Sequence, residues 1–482
     1  MCQGIGDELL GIDLGDKRLN KRSVKIIEAL ARDPQASINA AILGWGDTLA
    51  AYRFFDNDNV SPEAILAPHR QATLARVREH KVVLIAQDTT ELDFTDHPAK
   101  DALCLNTDTR FGLYYHPQLA LTPEQLPLGV VGAESYAREP ESLGKAASRG
   151  SLPIEEKESL RWLNGYRSAH AVAAECPETQ VISVADCEAD IYDVFLAARQ
   201  VTDATPHARR AEFIIRAKEP RQALACEPAG ATSPQPASIS YKRDRDKSYP
   251  EVRAEVAQSR LLKTYTVELP ETPKRKARTA TLEVRALTVT LKPPSKRSGL
   301  PPLPVNYVLV QEIHGPGDDT EVSWLLITTL PIATLADVML VVDYYLARWG
   351  IEIFFRTLKT GCQVEAIQLE TTARLKNCLA LYTIIAWRIL YLTYLNRETP
   401  KIPCDTVFTA AEWKSVYTVT KKQPPPTTAP PLHEFMRLLT SLGGYNNRAT
   451  ERPSGPLPIW LGLRRMLDFA IAWQEFGPKS CV

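Results

Sequence analysis

Two short apolar runs, Val82-Val83-Leu84-Ile85-Ala86 and Val181-Ile182-Ser183-Val184-Ala185, constrain this chain more than any other feature. Neither alternates between apolar and polar residues, so neither can lie with one face in water. Runs of this kind belong to strands covered on both sides, and such strands need helices above and below their sheet. The sequence therefore predicts an α/β fold. Each run also gives way to an acid: the first to Gln87-Asp88-Thr89-Thr90, the second to Asp186. In open α/β sheets, ligands and catalytic groups gather beyond the carboxyl ends of the strands, where Asp88 and Asp186 project.

The rest of the chain sorts around that core. Residues 1–75 read as a helical, polar segment whose pattern fades near Pro68. Lys17, Lys21 and Lys25 recur at helical spacing there, a basic face balanced in part by Asp13, Asp16 and Glu28. Leu113–Leu121 and Leu128–Ala133 read as antiparallel strands, since only a short loop joins them. A helix near Glu155–Ala174 precedes the second run, and Phe213–Lys218 is a further strand. Residues 219–320 differ in character: Lys263–Leu269 and Thr281–Val289 alternate as half-buried strands, and Val305–Ile313 is a more apolar one. Basic loops, Pro273–Arg278 and Lys292–Arg297, divide them. This stretch reads as an inserted antiparallel β subdomain whose tips either solubilise it or lie along a DNA backbone. An apolar helix at 374–395, a proline-rich linker including Gln423–Pro431, and helices at 432–442 and 458–475 close the chain.

Composition narrows the partners. A chain of 482 residues suggests about three domains. Lys+Arg and Asp+Glu are equal at 57 each, so a nucleic-acid partner would have to be met by local clusters of cations, not by a global field. The nine cysteines form no Cys-x-x-Cys pair, which fits a reduced cytoplasmic setting without structural zinc. The N-terminus opens acidic and lacks a secretory pattern. Arg388 interrupts the most apolar segment, Cys378–Leu395, which favours a buried helix over a membrane span.

Chemistry concentrates in Tyr345-Leu-Ala-Arg348-Trp-Gly-Ile-Glu352-Ile-Phe-Phe-Arg356-Thr-Leu-Lys359. Offsets of three, four and seven residues would set Tyr345, Arg348, Glu352 and Lys359 on one face of a continuous helix. A solvated face can hold such residues too. With Asp88 and Asp186, however, Glu352 makes three carboxylates that would repel one another unless a cation sat among them. Oxygen donors without nearby His or Cys select Mg²⁺, or Mn²⁺ in its place. Two such ions can clamp the attacking and leaving oxygens of a phosphoryl transfer. Within Asp186-Cys187-Glu188-Ala189-Asp190, spacing alone leaves Glu188 and Asp190 as competing ligands. No Gly-x-Ser-x-Gly or phosphate-binding Gly-x-x-x-x-Gly-Lys loop offers another chemistry.

These residues resemble a known family: bacterial insertion-sequence transposases of the DDE class, in the branch named for a Tyr–Arg–Glu–Lys signature. Tyr345, Arg348, Glu352 and Lys359 match that signature residue for residue. Asp88-Thr89-Thr90 resembles the first catalytic aspartate and Asp186-x-Glu188-Ala189-Asp190-Ile191 the second, which favours Asp186 over its acidic neighbours. The resemblance implies a ribonuclease H-like mixed sheet flanked by helices, with an inserted antiparallel β subdomain and helical N- and C-terminal domains. The expected boundaries are 1–75 for DNA-end binding, 76–375 for the catalytic core with its insert at about 219–320, and 376–482 for dimerisation. Gly15-Asp16-x-Arg18 and Tyr52-Arg53 resemble the end-binding region, and Leu442–Tyr445 and Trp460–Leu463 the dimerisation region.

The resemblance further implies roles. Asp88, Asp186 and Glu352 would hold two Mg²⁺ ions. Tyr345, Arg348, Arg356 and Lys359 would grip phosphates near the cut, as would Arg216, Lys218 and Arg221 of the basic strand and loop. Trp324 would stack on a base drawn out of the duplex. Arg18, Tyr52 and Arg53 would touch the element end. The partners are double-stranded DNA, as terminal inverted repeats and as target, and a second copy of the chain in a synaptic dimer, with no membrane. A bacterial enzyme of this kind works in the cytoplasm at the nucleoid. Two rivals are a DNA-binding regulator of transposase origin that has lost catalysis, and a metal-dependent nuclease without strand transfer. The first predicts a missing carboxylate, and all three are present.

Overall fold

Both apolar runs are strands: β1 (Val82–Gln87) and β5 (Gln180–Ala185). They pair in parallel with Val83 opposite Val181 and Gln87 opposite Ala185. The computed structural model describes residues 4–144, 152–199, 210–228, 249–272, 275–318, 320–446 and 455–478. Contacts divide the chain into two units, one formed by Lys81–Asp88 and Ser151–Trp349, the other by Met1–His80, Thr89–Gly150 and Gly350–Val482.

The first, the sheet unit, is built on β1 and β5. Parallel β6 (Glu212–Arg216) lies on the other side of β5. From β6 the sheet turns antiparallel, through β11 (Ser323–Thr328), β10 (Leu303–Ile313), β9 (Arg278–Leu291) and β7 (Ala223–Pro228), with β8 (Leu261–Leu269) also paired to β9. The inserted antiparallel strands thus join the main sheet through the β10–β11 pair. Helix α5 (Leu160–Glu175) packs on β5, and α6 (Tyr192–Arg199) on α5. Helix α7 (Val252–Gln258) packs on β9, and α8 (Leu335–Ala347) on β5 and β6. Ser183, the one polar residue inside a buried run, accepts a hydrogen bond from Gln87 Nε2 at 2.9 Å. Gly165 lets α5 approach that amide, for a Cβ there would lie 2.0 Å from Gln87 Oε1.

The second, the helical unit, carries three antiparallel strands, β2 (Thr90–Asp93), β3 (Gly112–Leu121) and β4 (Pro127–Tyr136). Its N-terminal helices are α1 (Lys17–Arg32), α2 (Ile38–Ala41), α3 (Trp45–Phe55) and α4 (Pro62–Val77). Later come α9 (Gly350–Arg356), α10 (Thr372–Glu398), α11 (Ala410–Lys421), α12 (Leu432–Leu442) and α13 (Pro456–Phe476). Helix α10 is the centre: every residue from Asn377 to Thr393 is buried, and α1, α3, α4, β4 and α13 pack around it. Its apolar length matches a membrane span, but here protein covers it on all sides. Arg388 is accommodated by donating to Val407 O at 2.6 Å.

A buried cluster ties the N-terminal segment to this helix. Glu8 accepts from Arg76 Nη1 at 2.8 Å and meets His69 Nδ1 at 2.5 Å. Val130 N donates to His69 Nε2 at 3.0 Å, so that nitrogen carries no proton and the ring is neutral, with its hydrogen on Nδ1. The Arg76 guanidinium lies 4.4 Å from the Trp387 ring centre.

Two expectations need correction. Helix α4 does not fade at Pro68 but continues to Val77, because burial of Ile65, His69, Leu74 and Val77 outweighs the one hydrogen bond that a proline omits. Between the apolar helix and Gln423–Pro431, where only linker is expected, residues 410–421 form α11. Its N-terminus is a reciprocal cap in which Glu412 N donates to Thr409 Oγ1 and Thr409 N donates to Glu412 Oε2.

Candidate active site

The matched register of β1 and β5 fixes the first part of the site. Asp88 and Asp186 each directly follow the last paired residues, Gln87 and Ala185. Neighbouring strands run about 4.8 Å apart, so two acids emerge side by side from the same end of the sheet. Both are half-buried. Asp88 Oδ2 accepts from Arg348 Nη1 at 2.7 Å, with both side chains largely covered. Asp186 accepts from Glu188 N at 2.9 Å and so caps the turn that follows it.

Cations and aromatic groups of the sheet unit surround this pair. Burial pushes the Tyr345 phenol above its usual range, and the charges of Arg348 and Arg216 oppose that rise while Asp186 adds to it. Burial also raises the Cys187 thiol, reinforced by Asp186 and opposed by Lys218 and Arg216. Asp186 and Arg216 thus act on both groups, Arg348 on Tyr345 and Lys218 on Cys187. Trp324, on β11, is half-buried with its ring 5.9 Å from that of Tyr345 in an edge-on arrangement. Arg216 also donates to Ser323 O at 3.3 Å, which anchors the end of β6 to β11.

Arg221 does something else. Its Nε and Nη2 bind Asp190 Oδ1 at 2.8 and 2.5 Å, and it lies against Phe195 and Tyr192. With only 11% of its side chain exposed, the guanidinium is engaged by an acid rather than presented to a phosphate. Two arginines of the basic loops also pair with acids, though Arg297 keeps 44% of its side chain exposed. Arg278 pairs with Glu312 and Arg297 with Asp193, whereas Pro273 and Lys274 lie outside the described residues.

The signature does not run along one helix. Tyr345 lies in the last turn of α8, Arg348 caps it, Glu352 sits in α9, and Lys359 lies in a π-turn, Thr357–Gly361. At the junction the backbone tightens, with Arg348 N bonding to Tyr345 O and Trp349 N to Leu346 O. In the π-turn it widens, Cys362 N reaching back to Thr357 O. Counting by 3.6 holds only inside an unbroken helix, and the one continuous helix expected for all four residues is not what the chain forms.

Glu352, Arg356 and Lys359 belong to the helical unit. Glu352 is half-buried and Arg356 is exposed. Lys359 Nζ donates to Glu91 O at 2.8 Å and pairs with Glu365 at 3.1 Å. In the N-terminal helices Arg18 and Arg53 are exposed, Arg18 in an ion pair with Asp16. Tyr52 donates to Asn39 Oδ1 at 3.0 Å. Lys17, Lys21 and Lys25 are all exposed along α1, as their spacing predicts.

The donor chemistry fits a hard divalent ion. Asp88 and Asp186 offer only carboxylate oxygen, and Arg348 supplies the positive charge that Asp88 needs where it is half-buried. Among the described residues no three His, Cys, Asp or Glu side chains are drawn together as a ready cage. Sequence reasoning missed Glu365, which follows Lys359 at no telling spacing, and the partnership of Asp190 with Arg221. The acid-rich run around Asp190 was the only hint of the latter.

Three families match the chain in succession. Residues 1–60 match a transposase DNA-binding region, residues 204–388 a transposase DDE domain, and residues 384–474 the Tn5 transposase dimerisation domain. That order defines a DNA transposase. The chain belongs to the DDE transposases of the Tn5 type: it binds DNA, forms homodimers and has the ribonuclease H-like core of that class. DDE domains act with divalent metal, typically Mg²⁺. The DDE match includes Glu352 and begins downstream of Asp88 and Asp186.

Proposed function

We propose that this transposase cuts at the terminal inverted repeats of its own element and joins the freed ends to target DNA, with Asp88, Asp186 and Glu352 holding two Mg²⁺ ions, or Mn²⁺ in their place. The observation that most supports the reading is the register-matched emergence of Asp88 and Asp186 from adjacent parallel strands. Glu352 joins them on the strength of the signature and the DDE match. When bound, the ions lower the cost of forming the attacking oxygen and stabilise the leaving one.

The chain's own residues then orient the DNA. In the first step a water oxygen bonds to phosphorus at the element end, and the 3′-oxygen leaves as a hydroxyl. In the second, that hydroxyl attacks the opposite strand, closing a hairpin on the element and releasing the flanking strand with its own 3′-hydroxyl. A further hydrolysis opens the hairpin, and the 3′-end then attacks target DNA. Arg348 and Tyr345 hold phosphate beside Asp88 and Asp186, with Arg216 and Lys218 on the neighbouring strand. Arg356 and Lys359 grip the backbone from the helical unit, Lys359 exchanging Glu365 for phosphate. Trp324 receives an extruded base, at an unstacking cost of a few kcal/mol. Arg18, Tyr52 and Arg53 read the end within a region of about residues 1–75. Residues 76–375 form the catalytic core, and residues 376–482 pair the two copies. The enzyme works in the bacterial cytoplasm at the nucleoid.

The test uses a duplex flanked by the inverted repeats found beside the gene. Glu352→Gln should bind the ends nearly as wild type does yet release no fragment in Mg²⁺. Cleavage at the wild-type rate by that variant would remove Glu352 from the metal site.

A further inference from the structure

We propose that Asp190 is a positioning residue: with Arg221 it locks the loop after β6, so that Arg216 and Lys218 stay beside Asp186 when DNA enters. The inference rests on the reading above, in which those two cations meet phosphate.

Asp190 is almost wholly buried, with 1% of its side chain exposed. Its two oxygens are fully engaged. Oδ2 accepts from the backbone N–H groups of Lys218 and Glu219, each at 2.8 Å. Oδ1 accepts from Arg221 Nε and Nη2, and Nη2 also reaches Asp190 O at 2.9 Å. One carboxylate therefore fixes both ends of the short segment 218–221. Four residues upstream lies Asp186, and only the tight turn Cys187–Ala189, capped by Asp186 itself, separates the two acids. The chain that carries the second catalytic aspartate and the chain that carries the cations are thus stapled together at Asp190.

A buried ion pair does not by itself imply more than structure. What distinguishes this one is its address. The N–H it binds belongs to Lys218, and Ala185 pairs with Ile215 in the parallel β5–β6 register, so Arg216 leaves β6 alongside Asp186 with Lys218 two residues on. Arg221 has its flat face on Phe195, with the ring centre 5.0 Å away, so it cannot turn outward without losing that contact as well. A cation free to wander would meet phosphate only part of the time, and orientation is a large share of what such a site supplies.

The experiment is a double-mutant cycle on single-turnover cleavage of the terminal-repeat duplex in Mg²⁺. Asp190→Asn keeps the shape but removes the charge that holds Arg221. It should slow cleavage at least tenfold and lower the dependence of end binding on salt by up to about two counterions, one for each cation set loose. In the Arg216→Ala/Lys218→Ala background the same change should have little further effect, because its targets are gone. Arg221→Lys, which retains charge but not the fork, gives an intermediate result and serves if Asp190→Asn does not fold. Equal losses from Asp190→Asn in both backgrounds would overturn the inference and leave Asp190 a stabilising residue only. Wild-type cleavage and salt dependence in Arg216→Ala/Lys218→Ala would remove both cations from the DNA path, and this inference with them. The carboxylate reading would still stand or fall separately, with Glu352→Gln.

Discussion

Glu8 with Arg76 in the helical unit and Asp190 with Arg221 in the sheet unit are both acids buried against an arginine, and the two clusters differ in what lies at their far end. In the helical unit, Glu8 binds Arg76 and His69, and the chain of contacts continues to Leu128 O, Val130 N and the Trp387 ring, all of them core. In the sheet unit, Asp190 binds Arg221, and its remaining bonds end on the backbone of Lys218 and Glu219, at the margin of the candidate site. The ingredients are alike, and burial is nearly complete in both. Chemical type therefore does not say whether a buried pair serves stability or function. The residues at the end of its hydrogen bonds do.

Substitutions can break this contrast. Arg76→Met should be the most damaging to stability, because it leaves Glu8 charged in the core with only the neutral His69 ring as a partner, at a cost of about 3–5 kcal/mol. Cleavage per folded molecule should stay at the wild-type level, and a slower rate in the folded fraction would erase the distinction between the clusters. Acid provides a second probe. The folded state holds the Glu8 carboxyl below its usual 4.5: burial opposes this, but His69 and Arg76 together prevail. Burial likewise holds folded His69 below its usual 6.5. In each case the unfolded chain takes up protons first as pH falls, so both groups subtract stability on acidification. The unfolding midpoint should drop as pH passes down through 6.5 and again below 4.5, and Glu8→Gln should flatten the lower limb. Smallest is Trp387→Phe, which removes the indole bond to Pro127 O at 2.7 Å and should cost about 1 kcal/mol in the same unfolding measurement.

How far the sequence could be read follows from the same contrast. The two central strands were legible almost to the residue because continuous apolar runs have few other uses, and their aspartates followed from them. In the insert, β8 and β9 showed in their alternation and β10 in its apolar run, while β7 and α7 gave no such pattern and were not legible. Three further features were hidden for different reasons. Helix α11 lay among prolines that drew the eye to a linker, although Thr409-x-x-Glu412 is a capping signature. The break after Arg348 and the π-turn at Lys359 are changes of backbone hydrogen bonding that a periodicity count does not contain. Arg221 looked like a DNA contact because a cation in sequence is the same whether it faces phosphate or carboxylate. Only its burial against Asp190 tells them apart.

The covering of α10 has a bearing on how the protein is made. A helix with no wet side has little reason to hold its shape alone, and α1, α3 and α4 have no finished core until it arrives. More than three hundred residues separate the end of α4 from the end of α10. At ordinary rates of synthesis the N-terminal helices wait on the order of tens of seconds for their central partner to leave the ribosome. Residues 384–398 of that partner also lie within the dimerisation region. A new copy therefore completes the part that holds DNA and the part that recruits its twin in one event, late in translation.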